Sequence, residues 1–188
     1  MKTTAFAVLA LAGLAVAEVP LEHSHEAEIR IVNTLLKANN PNEIQDAIFG
    51  LLGNKAAAEG AGKIKNLDCL HQATADQAFS NAKEANDIAG MTTALIFAAL
   101  ERNTGSVGLK SVLCNETAVN PEIAAIPVHQ DPASDGAAAT NKASTLAVAQ
   151  QIAAIGGNPN DALRAGTFAP GKVRANLPLP LASLGQVS

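Results

Sequence analysis

A chain of 188 residues with 13 basic and 17 acidic side chains carries a formal charge of −4 and no basic cluster, which argues against a nucleic-acid partner. Aromatic residues make up 3 % of it, with no Trp, no Tyr and five Phe. The stacking faces on which sugar clefts and single-strand platforms commonly rest are therefore scarce.

The opening segment, MKTTAFAVLALAGLAVA, places Lys2 before an apolar run from Ala5 to Val16 and ends on the small-x-small site Ala15-Val16-Ala17. This is the pattern of a secretory signal peptide over residues 1–17, with Glu18 opening the mature chain. Only Lys2 leaves with it, so 12 basic against 17 acidic residues give a mature charge of −5. No later stretch reaches about eighteen apolar residues, and the best, Ala94 to Leu100, stops at Glu101-Arg102. No membrane span is expected, nor a lipid-anchor tail or retention signal. The expected location is secreted, either extracellular or cell-wall associated.

Along the mature chain, apolar residues recur at helical rather than strand spacing. From Glu22 to Ala38, Ile29, Val32, Leu35 and Leu36 predict a helix that Asn39-Asn40-Pro41 ends. Asn42 is placed to cap a second helix over Glu43 to Leu52, with Ile44, Ile48, Leu51 and Leu52 inward and Gly53 closing it. "NKAAAEGAGKIKN" reads as a mobile Ala/Gly connector or a weak helix. The main predicted helix runs from about Ala73 to Arg102. Its first half is amphipathic, with Phe79, Ala82 and Ile88 or Ala89 on the apolar side, and its second half, "MTTALIFAAL", is apolar nearly all round. Such a segment is expected to be buried and surrounded, with Gly90 marking a bend or a close helix crossing. "NPEIAAIPVHQDP" reads as extended. Ser134 or Asp135 is placed to cap a further helix from about Gly136 to Ile155, with Val148, Ile152 and Ile155 as its stripe. Asn158-Pro159 then starts a short helix ending at Gly166. Beyond Pro170 the amphipathic period is lost and a disordered tail, residues 170–188, is expected. The fold class predicted is all-α, one helical bundle-like domain over residues 18–169.

Cys69 and Cys114 are the only cysteines. In an exported chain the expected state is a bridge rather than two thiols, closing a loop of about 46 residues for which chain entropy supplies on the order of 4 kcal/mol. Asn115-Glu116-Thr117 is the sole N-glycosylation sequon and puts that corner at the surface if used.

The block "HQDPASDGAAATNKASTLAVAQQIAAIGGNPNDALRAGTFAPG", with "LDCLHQATADQAF" upstream, resembles a family of small secreted two-cysteine proteins of filamentous ascomycetes. The resemblance covers about Leu21 to Gly171. It implies export and a two-cysteine core, and brings no catalytic residues. Such relatives continue after "FAPG" into a polar, cysteine-containing C-terminus, from which this chain departs. Lys172-Val173-Arg174 can be encoded by AAG-GTG-AGA, which reads like a splice donor and suggests a translated intron.

Several motifs come close to catalysis or metal binding and fall short. "HSHEAEI" offers His23 and His25 as candidate metal ligands, because an i, i+2 pair on an extended segment points one way. A helical His-Glu-x-x-His is absent, since Ile29 stands where the second His would be. On a helix the pair separates, and Glu22, Glu26 and Glu28 then complement a solvated N-terminal turn. His129, Asp131 and Asp135 form the other His/carboxylate cluster, in a loop between Pro127 and Pro132. His71 with the two cysteines leaves a structural zinc site one ligand short. "EGAGKI" lacks the first glycine and the hydroxyl of a phosphate-binding loop, and no Gly-x-Ser-x-Gly is present.

No cofactor is expected. The function expected is that of a secreted, non-enzymatic protein acting by binding or by surface coverage, toward a protein or cell-wall partner: a wall or surface component, or a host-directed effector. The alternative is a carrier of an apolar small molecule held by Met91, Leu95, Phe97 and Leu100 between helices. A hydrolase built on His129 ranks below both.

Overall fold

The computed structural model describes residues 25–166. Every regular element among them is helical: α1 (Glu26–Leu36), α2 (Asn54–Ala57), α3 (Leu70–Glu84), α4 (Ile88–Ala99), α5 (Pro121–Ala124) and α6 (Ala137–Ala154). Tight 3-10 turns occupy Ala47–Leu51, Leu67–Cys69 and Pro159–Ala165. The fold is the expected all-α domain with a Cys69–Cys114 bridge. The predicted signal peptide, His23 and the tail from residue 170 lie outside the described residues.

The apolar sequence of α4 determines the arrangement. From Gly90 to Ala99 every residue is buried, and α3, α1, α6 and the Pro159–Ala165 turn pack around it. Leu95, Ile96 and Phe97 are wholly enclosed, each burial being worth roughly 2 kcal/mol. Around them lie Ile29 and Val32 of α1, Leu70 and Phe79 of α3, and Val148 and Ile152 of α6.

Several expected boundaries move, for local reasons. The long helix over Ala73 to Arg102 is two helices, because Asn86 adopts a left-handed conformation (φ 54°) and Asp87 then caps α4, its Oδ1 accepting from Gly90 N at 2.9 Å. Gly90 is the close crossing: a Cβ there would lie 3.0 Å from that of Ala82 on α3. Ile88, assigned to the apolar side, falls at this corner and is 45 % exposed. The helix expected over Glu43 to Leu52 shrinks to the Ala47–Leu51 turn. Glu43 is left-handed (φ 56°), and side chains take the backbone groups a helix would use. Asn40 accepts from Ile44 N and donates to Ile44 O, Asn33 accepts from Ala47 N, and Asp46 rather than Asn42 provides the cap, accepting from Ile48 N. The connector after Gly53 is a packed strap, starting with α2. Ala57 and Ala61 are buried, and a Cβ on Gly60 would overlap the Phe49 ring. The extended stretch before Asp131 contains α5. Neither Ser134 nor Asp135 caps α6 by its side chain; the chain enters through Gly136 at φ 73°, a conformation glycine adopts without strain.

His71 joins the two central helices. Its Nε2 lies 2.7 Å from Phe97 O, and because a carbonyl only accepts, Nε2 carries the proton. The ring meets Phe97 edge-on at 5.0 Å, and Nδ1 is buried without a partner. Burial lowers the pKa of His71 from 6.5 to about 4; the Phe97 hydrogen bond opposes the shift and the Arg102 charge adds to it.

Two predictions follow from this core. Leu95→Asp is expected to abolish the cooperative thermal transition, since an unpaired buried charge costs as much as a small domain's whole stability, whereas Leu95→Ala should cost about 2–5 kcal/mol. A parent-like melting temperature for Leu95→Asp would contradict the enclosure of α4. The second concerns acid. With a folded pKa below the unfolded one, the unfolded chain takes up the proton first, so the contribution of His71 is complete above about pH 6.5 and is lost as pH falls toward 4. The loss amounts to about 3 kcal/mol. His71→Gln can still donate to Phe97 O without titrating, and melting curves from pH 7 to 4.5 should show a shallower acid decline than the parent. Identical declines would assign the acid sensitivity elsewhere.

Candidate functional site: an aliphatic loop beside the disulfide

Between α4 and α5 the chain runs for some twenty residues without a helix, and side chains and a disulfide tie it to the rest of the domain at several points. Cys114 is bonded to Cys69, at the end of the turn that leads into α3, with the Cα atoms 4.5 Å apart. Arg102, 5 % exposed, reaches from the end of α4 under the loop. Its Nη1 donates to Val112 O (3.2 Å) and Asp68 O (3.3 Å), and its Nη2 to Asn54 Oδ1 (2.9 Å) and Leu67 O (3.4 Å). Burial lowers the pKa of this guanidinium, and the Asp68 carboxylate, itself accepting from Asn54 Nδ2, opposes that shift.

On the near side of the disulfide, Asp131 Oδ2 accepts from Gly108 N at 2.7 Å and Gln130 Oε1 accepts from Ser111 N at 2.9 Å. On the far side the chain follows one face of α3. Gln72 Nε2 donates to Glu116 O, and Asp76 takes Val119 N and Asn120 N on its two oxygens, at 2.7 and 2.9 Å. Polar side chains therefore substitute for secondary structure in satisfying the loop's donors.

With several of its main-chain amides taken by side chains from the body of the domain, the loop leaves aliphatic side chains outside. Val107, Leu109, Val112, Leu113 and Val119 are all more than half exposed, Val119 to 86 %, and they account for five of the eight large exposed hydrophobic residues described. Scattered exposed aliphatics are ordinary, but five on one segment single it out as the candidate interaction surface.

Of the residues singled out from sequence, Cys114 and Asn115 lie on this loop and Asp131 anchors it, and the other candidates fall elsewhere. His25 is 5 % exposed and precedes α1, where its carbonyl accepts from Ile29 N. Among the described residues no group of three or more His, Cys, Asp or Glu is placed to hold a metal ion. Glu28, expected in a solvated turn, is buried and takes Arg164 Nε and Nη2 on one oxygen at 3.0 and 2.7 Å. His129 is fully enclosed: Nδ1 lies 2.6 Å from Ala165 O, and Nε2 lies 3.1 Å from Asn141 O and 3.2 Å from Thr145 Oγ1. Burial lowers its pKa, the two main-chain hydrogen bonds oppose this, and the nearby His25 adds to it. Asp131 is taken up by Gly108 N and Ala133 N, and Asp135 is exposed, so neither carboxylate orients the imidazole. His71 is occupied by Phe97, and the cysteines beside it by each other.

Met91, Leu95, Phe97 and Leu100 are packed into the core cluster. An open depression of about 620 Å³ at the end of α1 is lined by other residues, among them Asn33, Leu36, Lys37, Asn40, Ile44 and Asp46. Asn115, by contrast, is exposed on the loop, as its sequon requires. The loop itself is not visible as a site in the sequence: Asp76 reads as part of an ordinary helix face and Gln130 as part of an ordinary linker, while Asp131, grouped with His129 as a candidate acid/base partner, anchors Gly108 N instead. No family model, curated protein or solved structure matches the chain.

Proposed function

We infer that the protein is exported and works without chemistry of its own, by binding a protein partner through the aliphatic loop. A disulfide, together with the lack of any helix long and apolar enough to cross a membrane among the described residues, fits an extracellular protein. The observation that carries the binding reading is the loop itself. Val107 and Leu109 stand out from a backbone already fixed by Asp131, Gln130 and Arg102, so little conformational entropy is lost on docking. Aliphatic side chains without aromatic companions lack the ring faces on which recognition of a free polysaccharide, one not tethered to the chain, rests, and they suit an apolar protein patch. The ascomycete resemblance is in keeping with two settings, a wall or surface layer of the producer and delivery toward a host.

The test replaces Val107 and Leu109 by Asp together. Both are exposed, so the melting temperature should stay near the parent's. Capture of a partner from wall or host extracts should weaken by on the order of 100-fold, two apolar contacts being lost. Undiminished capture by this variant would overturn the loop reading. Recovery only in the culture filtrate, with none in the wall fraction, would discard the wall setting.

A further inference from the structure

We propose that Asn115 carries an N-linked oligosaccharide whose inner sugars cover Val112 and Leu113. The proposal rests on export but not on the partner-binding reading. Asn115 is exposed, and its amide is already oriented. Asn66 Nδ2 donates to Asn115 Oδ1 at 2.9 Å and to Glu116 Oε1 at 2.9 Å, which fixes the carbonyl side inward and leaves Asn115 Nδ2 without a hydrogen-bond partner among the described residues. Thr117, the hydroxyl residue of the sequon, is exposed as well. The amide nitrogen that must carry the sugar therefore needs no rearrangement of the fold to do so.

Transfer forms a bond between Asn115 Nδ2 and the anomeric carbon of a lipid-linked oligosaccharide diphosphate. The anomeric C–O bond breaks, the lipid diphosphate leaves with the electron pair, and one amide proton passes to a base of the transferase and then to solvent. The attached sugars have a surface to lie on. Val112 is separated from Asn115 by at most about 11 Å of chain, Leu113 is nearer, and both are more than 60 % exposed. Val112 and Leu113 thus have a covering attached two to three residues away, while Val107 and Leu109, farther along the chain, stay open.

The experiment produces the full chain with its own leader in a eukaryotic secretory host and compares intact mass before and after peptide N-glycosidase. The mature protein is expected to be heavier than its polypeptide and to lose that excess on treatment, with an aspartate left at position 115. Asn115→Gln and Thr117→Ala should lack the excess, and Thr117→Ser should keep it. Unmodified protein in the medium would overturn the proposal and leave export standing; unmodified protein retained in the cell would overturn both. Removing the oligosaccharide should also lengthen retention on a hydrophobic resin, and less so in a Val112→Ser, Leu113→Ser variant. Equal lengthening in both would overturn the covering of these two side chains.

Discussion

A helix with no polar face has to be covered on every side, and α4 imposes that condition on the rest of the chain. One neighbour cannot meet it. The left-handed Asn86 folds α3 back along α4, α1 and α6 close further sides, and the Pro159–Ala165 turn completes the enclosure. The end of α4 is covered too. His71 donates to Phe97 O and His129 N donates to Ala99 O, so carbonyls that a buried helix end would leave orphaned are matched by neighbouring segments. Both histidines owe their lowered pKa chiefly to this burial, and both link backbone segments through their rings.

The same economy governs the loops. Asn81 donates to Leu35 O and Asn39 O, Asp76 takes two successive amides after the sequon, and Arg102 gathers main-chain carbonyls from two segments. Each of these residues lies on or beside a central helix and reaches outward to an irregular stretch. The helices are thus the frame on which polar side chains hold the loops, and the loop between α4 and α5 that bears the aliphatic side chains is held in this way.

The parts of the fold that repeat were legible in the sequence. The stripe Ile29, Val32 and Leu36, the enclosed "MTTALIFAAL" and the pair Val148 and Ile152 are short-range patterns with one physical reading, burial of a helix face. The breaks were harder. Asn86 looks like any polar residue on a solvated face until its left-handed conformation is known, and Asn33 and Asn40 give no sign that they will compete for the amides near Ala47. The two-cysteine bridge was legible because a chain with only two cysteines has one internal pairing to make. The loop was not, since Asp76 and Asn120 lie 44 positions apart and nothing local connects them. Among the candidate residues, His129 read as chemistry because it stood near two aspartates; burial against Ala165 and Asn141 gave it a structural task instead.

Glu28 and Arg164, 136 positions apart, join the first helix to the last turn. During synthesis, which proceeds from the N-terminus, α1, α3 and α4 are complete well before α6 and the Pro159–Ala165 turn exist. Until those arrive, one flank of α4 is bare, and the nascent chain exposes an apolar face that the finished molecule never shows. The Cys69–Cys114 pair is available earlier and shortens the loop that the unfinished chain must search. A chain of this design is thus most vulnerable to aggregation just before α6 and the Pro159–Ala165 turn are in place, and the ion pair that joins that turn to α1 marks the completion of the described helical core.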